Sequence, residues 1–287
     1  MKRILNFGSL NTDYVYKVDH ILQGGETIQS ESRTVFPGGK GLNQSIALVR
    51  AGLGTDGEHL RDLLNQNGVD TSLIETRDMP GGHTVIQVSR EAQNAILLFG
   101  GSNGAVDEAY ADRVLAQFGA GDILLLQNEI SALPYILEKA HARGMEIWLN
   151  PSPMNENVLK CNLSLVSVFV LNEVEGEQLT GTKIPTAILD KLLQKYPHAA
   201  AVLTLGSKGA WYAKEDKRAF APAELVRAVD TTAAGDTFTG YFMRDMLDGL
   251  SPKKSLTLAA KAAAIAVSRP GAAPSIPLYA EVMSERN

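Results

Sequence analysis

The sequence predicts an α/β domain: a mostly parallel sheet covered by helices on both faces, with a small second β-sheet that projects from it as a lid or subunit contact rather than an ordinary edge hairpin. Three observations carry this. Short, wholly apolar runs recur along the chain and end in glycine or polar residues, as strands buried on both faces do. Between them lie segments with the 3.6-residue apolar period of amphipathic helices. Two further stretches, about 13–36 and 83–99, interleave polar and apolar residues at period two with glycine-rich turns, which marks strands with one solvated face.

Taken in order, Ile4-Leu5-Asn6-Phe7-Gly8-Ser9 reads as the first buried strand, closed by glycine. Similar runs recur at 122–127, 146–150, 166–171 and 201–205. Helical patterns cover roughly 42–52, 56–66, 131–143, 173–180, 186–196, 234–248 and 255–268. This alternation, joined by short loops, is that of βα units in a parallel sheet. In such sheets ligands bind outside the carboxyl ends of the strands. No repeat, linker or low-complexity tract divides residues 1–287, so one domain with lid segments at about 13–36 and 83–99 is expected.

Composition narrows the function. With 45% hydrophobic and 21% charged residues the chain can bury a real core, which excludes disorder. No apolar run approaches the ~18 residues of a membrane span, and the N-terminus lacks a signal-peptide core, so a cytoplasmic protein without membrane contact is expected. The net charge of −5, with Lys and Arg scattered, argues against nucleic acid. One cysteine, Cys161, leaves no internal disulfide and no CxxC pair. An anionic ligand must therefore be held by local devices such as helix N-termini.

Two segments offer such devices. In Val229-Asp230-Thr231-Thr232-Ala233-Ala234-Gly235-Asp236-Thr237-Phe238, small residues open a helix whose apolar face carries Phe238, Tyr241, Phe242 and Met246. Unpaired N–H groups at a helix start favour an anion, and small side chains let it approach. Asp236, in that first turn, could simply complement the helix dipole, a contribution of ~0.3–1 kcal/mol. Beside an anion site, however, a carboxylate is repelled unless it has work to do. A general base taking the proton of an alcohol while the amides stabilise a transferring phosphoryl group accounts for both features. No GxxxxGK[ST] phosphate loop occurs, so this would be kinase chemistry without a Walker loop. The second segment, Phe36-Pro37-Gly38-Gly39-Lys40-Gly41-Leu42-Asn43-Gln44-Ser45, opens another helix where backbone can touch a ligand and Lys40 and Asn43 can donate hydrogen bonds.

Together, Gly38-Gly39-Lys40-Gly41-Leu42-Asn43-Gln44 and Asp230 to Phe238 closely resemble the paired signatures of the ribokinase-like (PfkB) carbohydrate kinases, and the resemblance runs over almost the whole chain. It implies a three-layer Rossmann-like domain with a β lid that transfers the γ-phosphoryl group of ATP to a sugar hydroxyl. It is strongest with members that convert D-ribose to D-ribose 5-phosphate. Asp236 then matches the catalytic base, and the amides of Ala233, Ala234 and Gly235 match the anion hole. Asn11, Asp13, Gly39, Lys40, Asn43 and Glu129 match sugar-contacting positions. Buried polar groups aimed at hydroxyls reject ligands that lack them. Thr204-Leu205-Gly206-Ser207-Lys208-Gly209 resembles the nucleotide-binding turn, with Thr204, Gly206, Ser207 and Gly209 as contacts beside Asn172 and Gly235. Read without the family, that stretch is equally a hairpin turn into Ala210-Trp211-Tyr212.

Asn172-Glu173-Val174-Glu175 resembles the family's Asn-x-x-Glu motif, which organises Mg2+ and its waters, so Glu175 would act through water. Asp230, Thr232, Arg269, Gly271 and Ser275 resemble the loops that hold a monovalent cation, with K+ expected. The lid strands resemble those that pair in a homodimer. Rival readings are a relative acting on another pentose, a hexose or a nucleoside, and a non-catalytic sugar or nucleotide sensor on the same fold. Retention of Asp236, Gly235 and Asn172-x-x-Glu175 argues against the sensor.

The sequence departs from the family in two places. A core strand of about five or six residues should follow the helix after Gly-Gly-Lys-Gly, yet Arg50-Ala51-Gly52 runs through Leu53-Gly54 straight into Thr55-Asp56-Gly57. Either the strand is truly deleted or residues are missing from the sequence, and omission is the expectation carried forward. At Ala260, where relatives often carry a polar side chain near the adenine, the nucleotide contact is also altered.

Overall fold

The computed structural model describes residues 2–50, 59–91 and 94–284. In chain order the first elements are β1 (Ile4–Phe7), β2 (Asn11–Lys17), β3 (Ser32–Gly38), α1 (Lys40–Arg50), α2 (His59–Gln66), β4 (Gly82–Val88) and β5 (Asn94–Phe99). Next come α3 (Glu108–Leu115), β6 (Ile123–Gln127), α4 (Leu133–Ala142), β7 (Glu146–Asn150), α5 (Glu156–Leu159), β8 (Val168–Asn172), α6 (Glu173–Thr180) and α7 (Pro185–Lys195). The chain closes with β9 (Ala200–Thr204), β10 (Ala210–Lys214), β11 (Lys217–Ala221), α8 (Ala234–Leu247), α9 (Pro252–Val267) and α10 (Tyr279–Met283).

A seven-stranded sheet runs β1-β6-β7-β8-β9-β10-β11, parallel through β9 and antiparallel over the last two pairings. Its strands are apolar throughout because both faces are covered. In β6, Leu124 and Leu126 pack into a core with α3, α4 and α7, while Ile123 and Leu125 pack into a second core with α1, α8 and α9. The layers are thus helix, sheet, helix, as expected. No helix among the described residues is long and apolar enough to cross a membrane.

The second sheet runs β3-β2-β4-β5 and combines antiparallel pairings with one parallel pairing, β2 to β4. Its register places Asn11 opposite Gly38 and Gly82, and Asp13 opposite Phe36 and Thr84. Asn11, Asp13, Thr84 and Ile86 are buried on one face of this sheet, which sets a polar floor beside the main sheet. The lid predicted from period-two patterning is therefore present, and β2 delivers its first residues straight from the end of β1.

Differences from the sequence reading have local causes. Helix α1 starts at Lys40 rather than 42, because Gly41 brings the helix start against the backbone of Gly8 and Ser9; an added Cβ would lie 2.6 Å from Ser9 O. Helix α3 was not anticipated: at eight residues its apolar stripe is short, and it is held by the Asp107 cap, whose side chain accepts from Tyr110 N. The stretch from Thr204 to Gly209 does form a hairpin turn, joining β9 to the antiparallel β10, so the turn and the nucleotide-loop readings describe the same residues. The interval 51–58, where the sequence leaves no room for a further strand, lies outside the described residues. Among the described residues β1 has a strand neighbour on one side only. A cavity of about 690 Å³ runs beside it, lined by Ile4, Asn6, Leu48, Leu64 and Val69 among others.

Candidate active site

The last residues of four adjacent strands are polar: Gln127, Asn150, Asn172 and Thr204, with Gln127 in register with Asn150 and Asn172 with Thr204. They floor a crevice at the carboxyl edge of the sheet. Helices α1 and α8 pack side by side over it and aim their N-termini into it. A small cavity of about 70 Å³ there is lined by Lys40, Asn150, Ser152, Asn172, Glu175, Thr204, Gly235 and Asp236, with Val170, Leu171 and Thr239 behind.

Asp236 is the centre of this arrangement. It is 5% exposed and lies in the first turn of α8. Asn43 Nδ2 donates to its Oδ2 at 3.1 Å, and Gln44 Nε2 donates to its Oδ1 at 2.9 Å. Lys40 Nζ stands 3.9 Å from Oδ1. Burial alone would push the Lys40 ammonium down, but Asp236, Glu129 and Glu175 outweigh it and hold its pKa above the ordinary lysine value, so it stays a cation. Helix α8 is preceded by Ala233, its N-cap, held at φ 61° and making no side-chain cap. Ala234 N reaches Thr231 O at 3.3 Å, a weak bond that an incoming anion can replace. A Cβ added at Gly235 would meet nothing within 4 Å, so the glycine leaves open space at the helix mouth. An uncapped helix start, a cation and an open cradle together suit a phosphoryl group.

The sugar-type positions gather beside it. Glu129 Oε2 accepts from Lys40 N at 3.0 Å and from Ser9 Oγ, which ties the loop after β6 to the mouth of α1. Gly39 adopts φ 92°, a conformation that favours glycine, and Leu42 N donates to Ser9 O at 3.0 Å, so the glycine pair folds tightly over the end of β1. Asp13 Oδ1 accepts from Thr84 Oγ1 at 2.7 Å, and Asn11 Oδ1 accepts from Asn103 Nδ2 at 2.8 Å. A Cβ on Gly38 would collide with the Asp13 carboxylate, and one on Gly82 with Asn103 and Asn11. Burial pushes the Asp13 carboxyl up to about 6, partly offset by the Thr84 bond and reinforced by Glu129, Asp236 and Asp230. That repulsion places Glu129, Asp236 and Asp230 within electrostatic reach of Asp13. Asn43 is 4% exposed and its Oδ1 is a buried acceptor without a hydrogen-bond partner. A hydroxyl supplies one.

The remaining predicted residues fall into two further groups. Gly206 and Ser207 form an exposed turn after Thr204 and the buried Leu205, and Gly209, at φ 113°, packs against Ala221 O. Asn172 and Glu175 form a capping box at the start of α6: Glu175 N donates to Asn172 Oδ1 at 2.9 Å and Asn172 N to Glu175 Oε2 at 3.0 Å. Among the described residues no three His, Cys, Asp or Glu side chains gather as a metal cage. The oxygens that do line the crevice, from Asn150, Ser152, Asn172, Glu175 and Thr204, fit a hard cation that keeps its own waters. Asp230 joins two loops, its Oδ1 accepting from Thr232 N and its Oδ2 from Gly271 N, each at 2.9 Å. Ser275 Oγ instead donates to Ala272 O at 2.7 Å, and the Arg269 side chain pairs with Glu281.

Sequence reasoning missed Ser9, Gln44, Asn103, Gln127 and Asn150. The available signal was a polar residue closing an otherwise apolar strand, Ile-Leu-Leu-Leu-Gln and Glu-Ile-Trp-Leu-Asn, at the edge where α/β sheets bind ligands.

The chain matches the pfkB family of carbohydrate kinases over residues 1–278 and belongs to that family. The ribokinase of Haemophilus influenzae is 32% identical over 306 residues, covering 98% of this chain and 97% of that protein. The ribokinase of Schizosaccharomyces pombe is 34% identical over 312 residues, with the same coverage. Among solved structures, the ribokinase of Cryptococcus neoformans in complex with ADP aligns with a TM-score of 0.84 at 30% identity, covering 98% of this chain and 99% of that one. The ribokinase of Arabidopsis thaliana complexed with ribose and ATP aligns with a TM-score of 0.79 at 26% identity, covering 99% and 98%.

Proposed function

We propose that the chain transfers the γ-phosphoryl group of ATP to the 5-hydroxyl of D-ribose, giving D-ribose 5-phosphate, with Asp236 as the general base. The observation that carries this reading is the buried Asp236 carboxylate at the open start of α8, hydrogen-bonded to Asn43 and Gln44 with Lys40 3.9 Å away. Asn11, Asp13, Gly39, Lys40, Asn43 and Glu129 hold the sugar so that the hydroxyl faces Asp236. The carboxylate accepts the hydroxyl proton as the oxygen attacks phosphorus. The N–H groups of Ala233, Ala234 and Gly235 stabilise the charge on the transferring group, and their preorganisation at a helix start makes that stabilisation effective. Asn172, Thr204, Gly206, Ser207, Gly209 and Gly235 hold the nucleotide.

Magnesium, when bound, would neutralise charge on the phosphates, and Asn172 with Glu175 would hold it through its waters. Asp230, Thr232, Arg269, Gly271 and Ser275 would hold K+, in the two loops that the Asp230 carboxylate ties together through Thr232 N and Gly271 N. The exposed lid strands would pair in a homodimer, and the enzyme would work in the cytoplasm.

Asp236→Asn tests the base directly. It keeps the shape and one acceptor, so ATP binding by calorimetry should stay within a few-fold while kcat falls by about 10²-fold or more. Unchanged turnover would rule out the assignment. A panel of ribose, other pentoses, hexoses and nucleosides with ATP, compared by kcat/KM, decides the acceptor. Binding of sugar and nucleotide without ADP release would establish a sensor instead.

A further inference from the structure

Behind Asp236 lies a chain of buried amides. Gln44 and Gln127 are both 0% exposed. Gln127 Nε2 donates to Gln44 Oε1 at 2.7 Å and to Asn6 Oδ1 at 2.9 Å. Gln44 Nε2 then donates to Asp236 Oδ1 at 2.9 Å and to Asn150 Oδ1 at 3.2 Å.

The polarity of this chain is fixed at both ends by groups that can only accept. Asn150 Nδ2 donates to the backbone carbonyl of Val170 at 2.9 Å, so Asn150 turns its oxygen towards Gln44. Asn6 Nδ2 donates to the backbone carbonyl of Gly41 at 2.7 Å, so Asn6 turns its oxygen towards Gln127. Gln127 must answer with its NH2, which also meets Gln44 Oε1, and Gln44 is left with its NH2 facing Asp236. Turning Gln44 over would set its oxygen against Asp236 Oδ1 and Asn150 Oδ1, and its nitrogen against Gln127 Nε2. The arrangement has a cost. Gln127 Oε1 is buried without a partner, and position 8 must be glycine, because a Cβ there would collide with that oxygen.

We propose that Gln44 and Gln127 are positioning residues for phosphoryl transfer: Gln127 dictates which way the Gln44 amide points, and Gln44 holds the Asp236 carboxylate in the orientation that receives the hydroxyl proton. This rests on Asp236 being the base. Asn43, the other donor to Asp236, is itself a sugar contact and must adjust as the hydroxyl arrives. Gln44 is the fixed anchor. Because Gln127 reaches Asp236 only through Gln44, its effect on catalysis must vanish once Gln44 is gone.

The test is a double-mutant cycle on the full chain with Gln44→Met, Gln127→Met and the pair, read in kcat, both KM values and thermal midpoint. Gln44→Met should lower kcat by about 10 to 100-fold, and Gln127→Met by about tenfold, with both KM values within threefold. In the Gln44→Met background, Gln127→Met should change kcat by less than about twofold, while its effect on the thermal midpoint persists. Independent multiplication of the two kcat losses, or losses that appear only in KM or in the midpoint, would overturn the proposal. Should Gln127→Met fail to fold, Gln127→Asn keeps the amide but withdraws it by one methylene and makes the same measurement. Asp236→Asn run alongside separates the two readings. If it stays active, base and relay both fall; if it is dead while the glutamine variants match the unaltered protein, only the relay falls.

Discussion

At the scale of single residues, Asp13 shows what burying a carboxylate at a proposed sugar site does to stability. Its carboxyl is pushed up from 3.8 to about 6, first by burial and then, against the Thr84 bond, by Glu129, Asp236 and Asp230. Between those two values the folded chain retains a proton that the unfolded chain has lost. Stability from this group is therefore complete below about pH 4 and is lost as pH rises through about 6, a change on the order of 3 kcal/mol. Asp13→Asn removes the charge but not the acceptor for Thr84. It should raise the thermal midpoint at pH 7.5 and leave it nearly unchanged near pH 4, while weakening sugar binding. Equal gains at both pH values would show that the burden lies elsewhere. Lys40, Asn43 and Asp236 were legible in the sequence because they sit in two compact motifs, and Asp13, which lies in neither, only through the family resemblance. Gln127 also lies in neither motif, and Gln44, though inside the first, has its proposed role only through partners 192 and 83 residues away.

At the scale of elements, the site depends on how closely α1 and α8 approach. Gly240, in the middle of α8, faces Ala47 of α1: an added Cβ would overlap Ala47 Cβ and lie 2.8 Å from the backbone of Ala47 and Leu48. Glycine in a helix interior costs helix propensity, so its presence here reflects the contact. Gly240→Ala must push the helices apart and carry Asn43 and Gln44 away from Asp236. Denaturant unfolding should show a loss of about 1–3 kcal/mol, and kcat should fall with it. A variant that gains stability would mean that the helices have slack. The long periodic helices and double-sided strands were legible because their patterns are strong. The short α3, whose existence rests on the Asp107 cap and on Ala111, Val114 and Leu115 meeting the core, was not. Nor could periodicity order the strands of either sheet, since pairing depends on the crossover that each helix makes.

At the scale of the whole molecule, the lid is unfinished as a free-standing surface. β5 is an edge strand, and Ile96, Leu97, Leu98 and Phe99 are 55%, 71%, 40% and 48% exposed, with Val35 of β3 at 49% on the opposite edge. A run of apolar residues on an open edge invites pairing, and soluble proteins rarely leave one uncovered. A second copy of the chain can cover it by a two-fold arrangement in which each lid meets the other, and such self-complementary contacts close without propagating. The inner face of the same sheet carries Asn11 and Asp13, so pairing that stiffens the lid would also steady the sugar site. Sedimentation at micromolar concentration should therefore give twice the monomer mass. Leu97→Lys with Phe99→Lys should return the monomer and raise the sugar KM more than the ATP KM, because the substituted positions belong to the lid and not to the nucleotide turn. A monomeric unaltered protein at that concentration would refute the pairing, and a monomeric variant with unchanged sugar KM would separate assembly from binding.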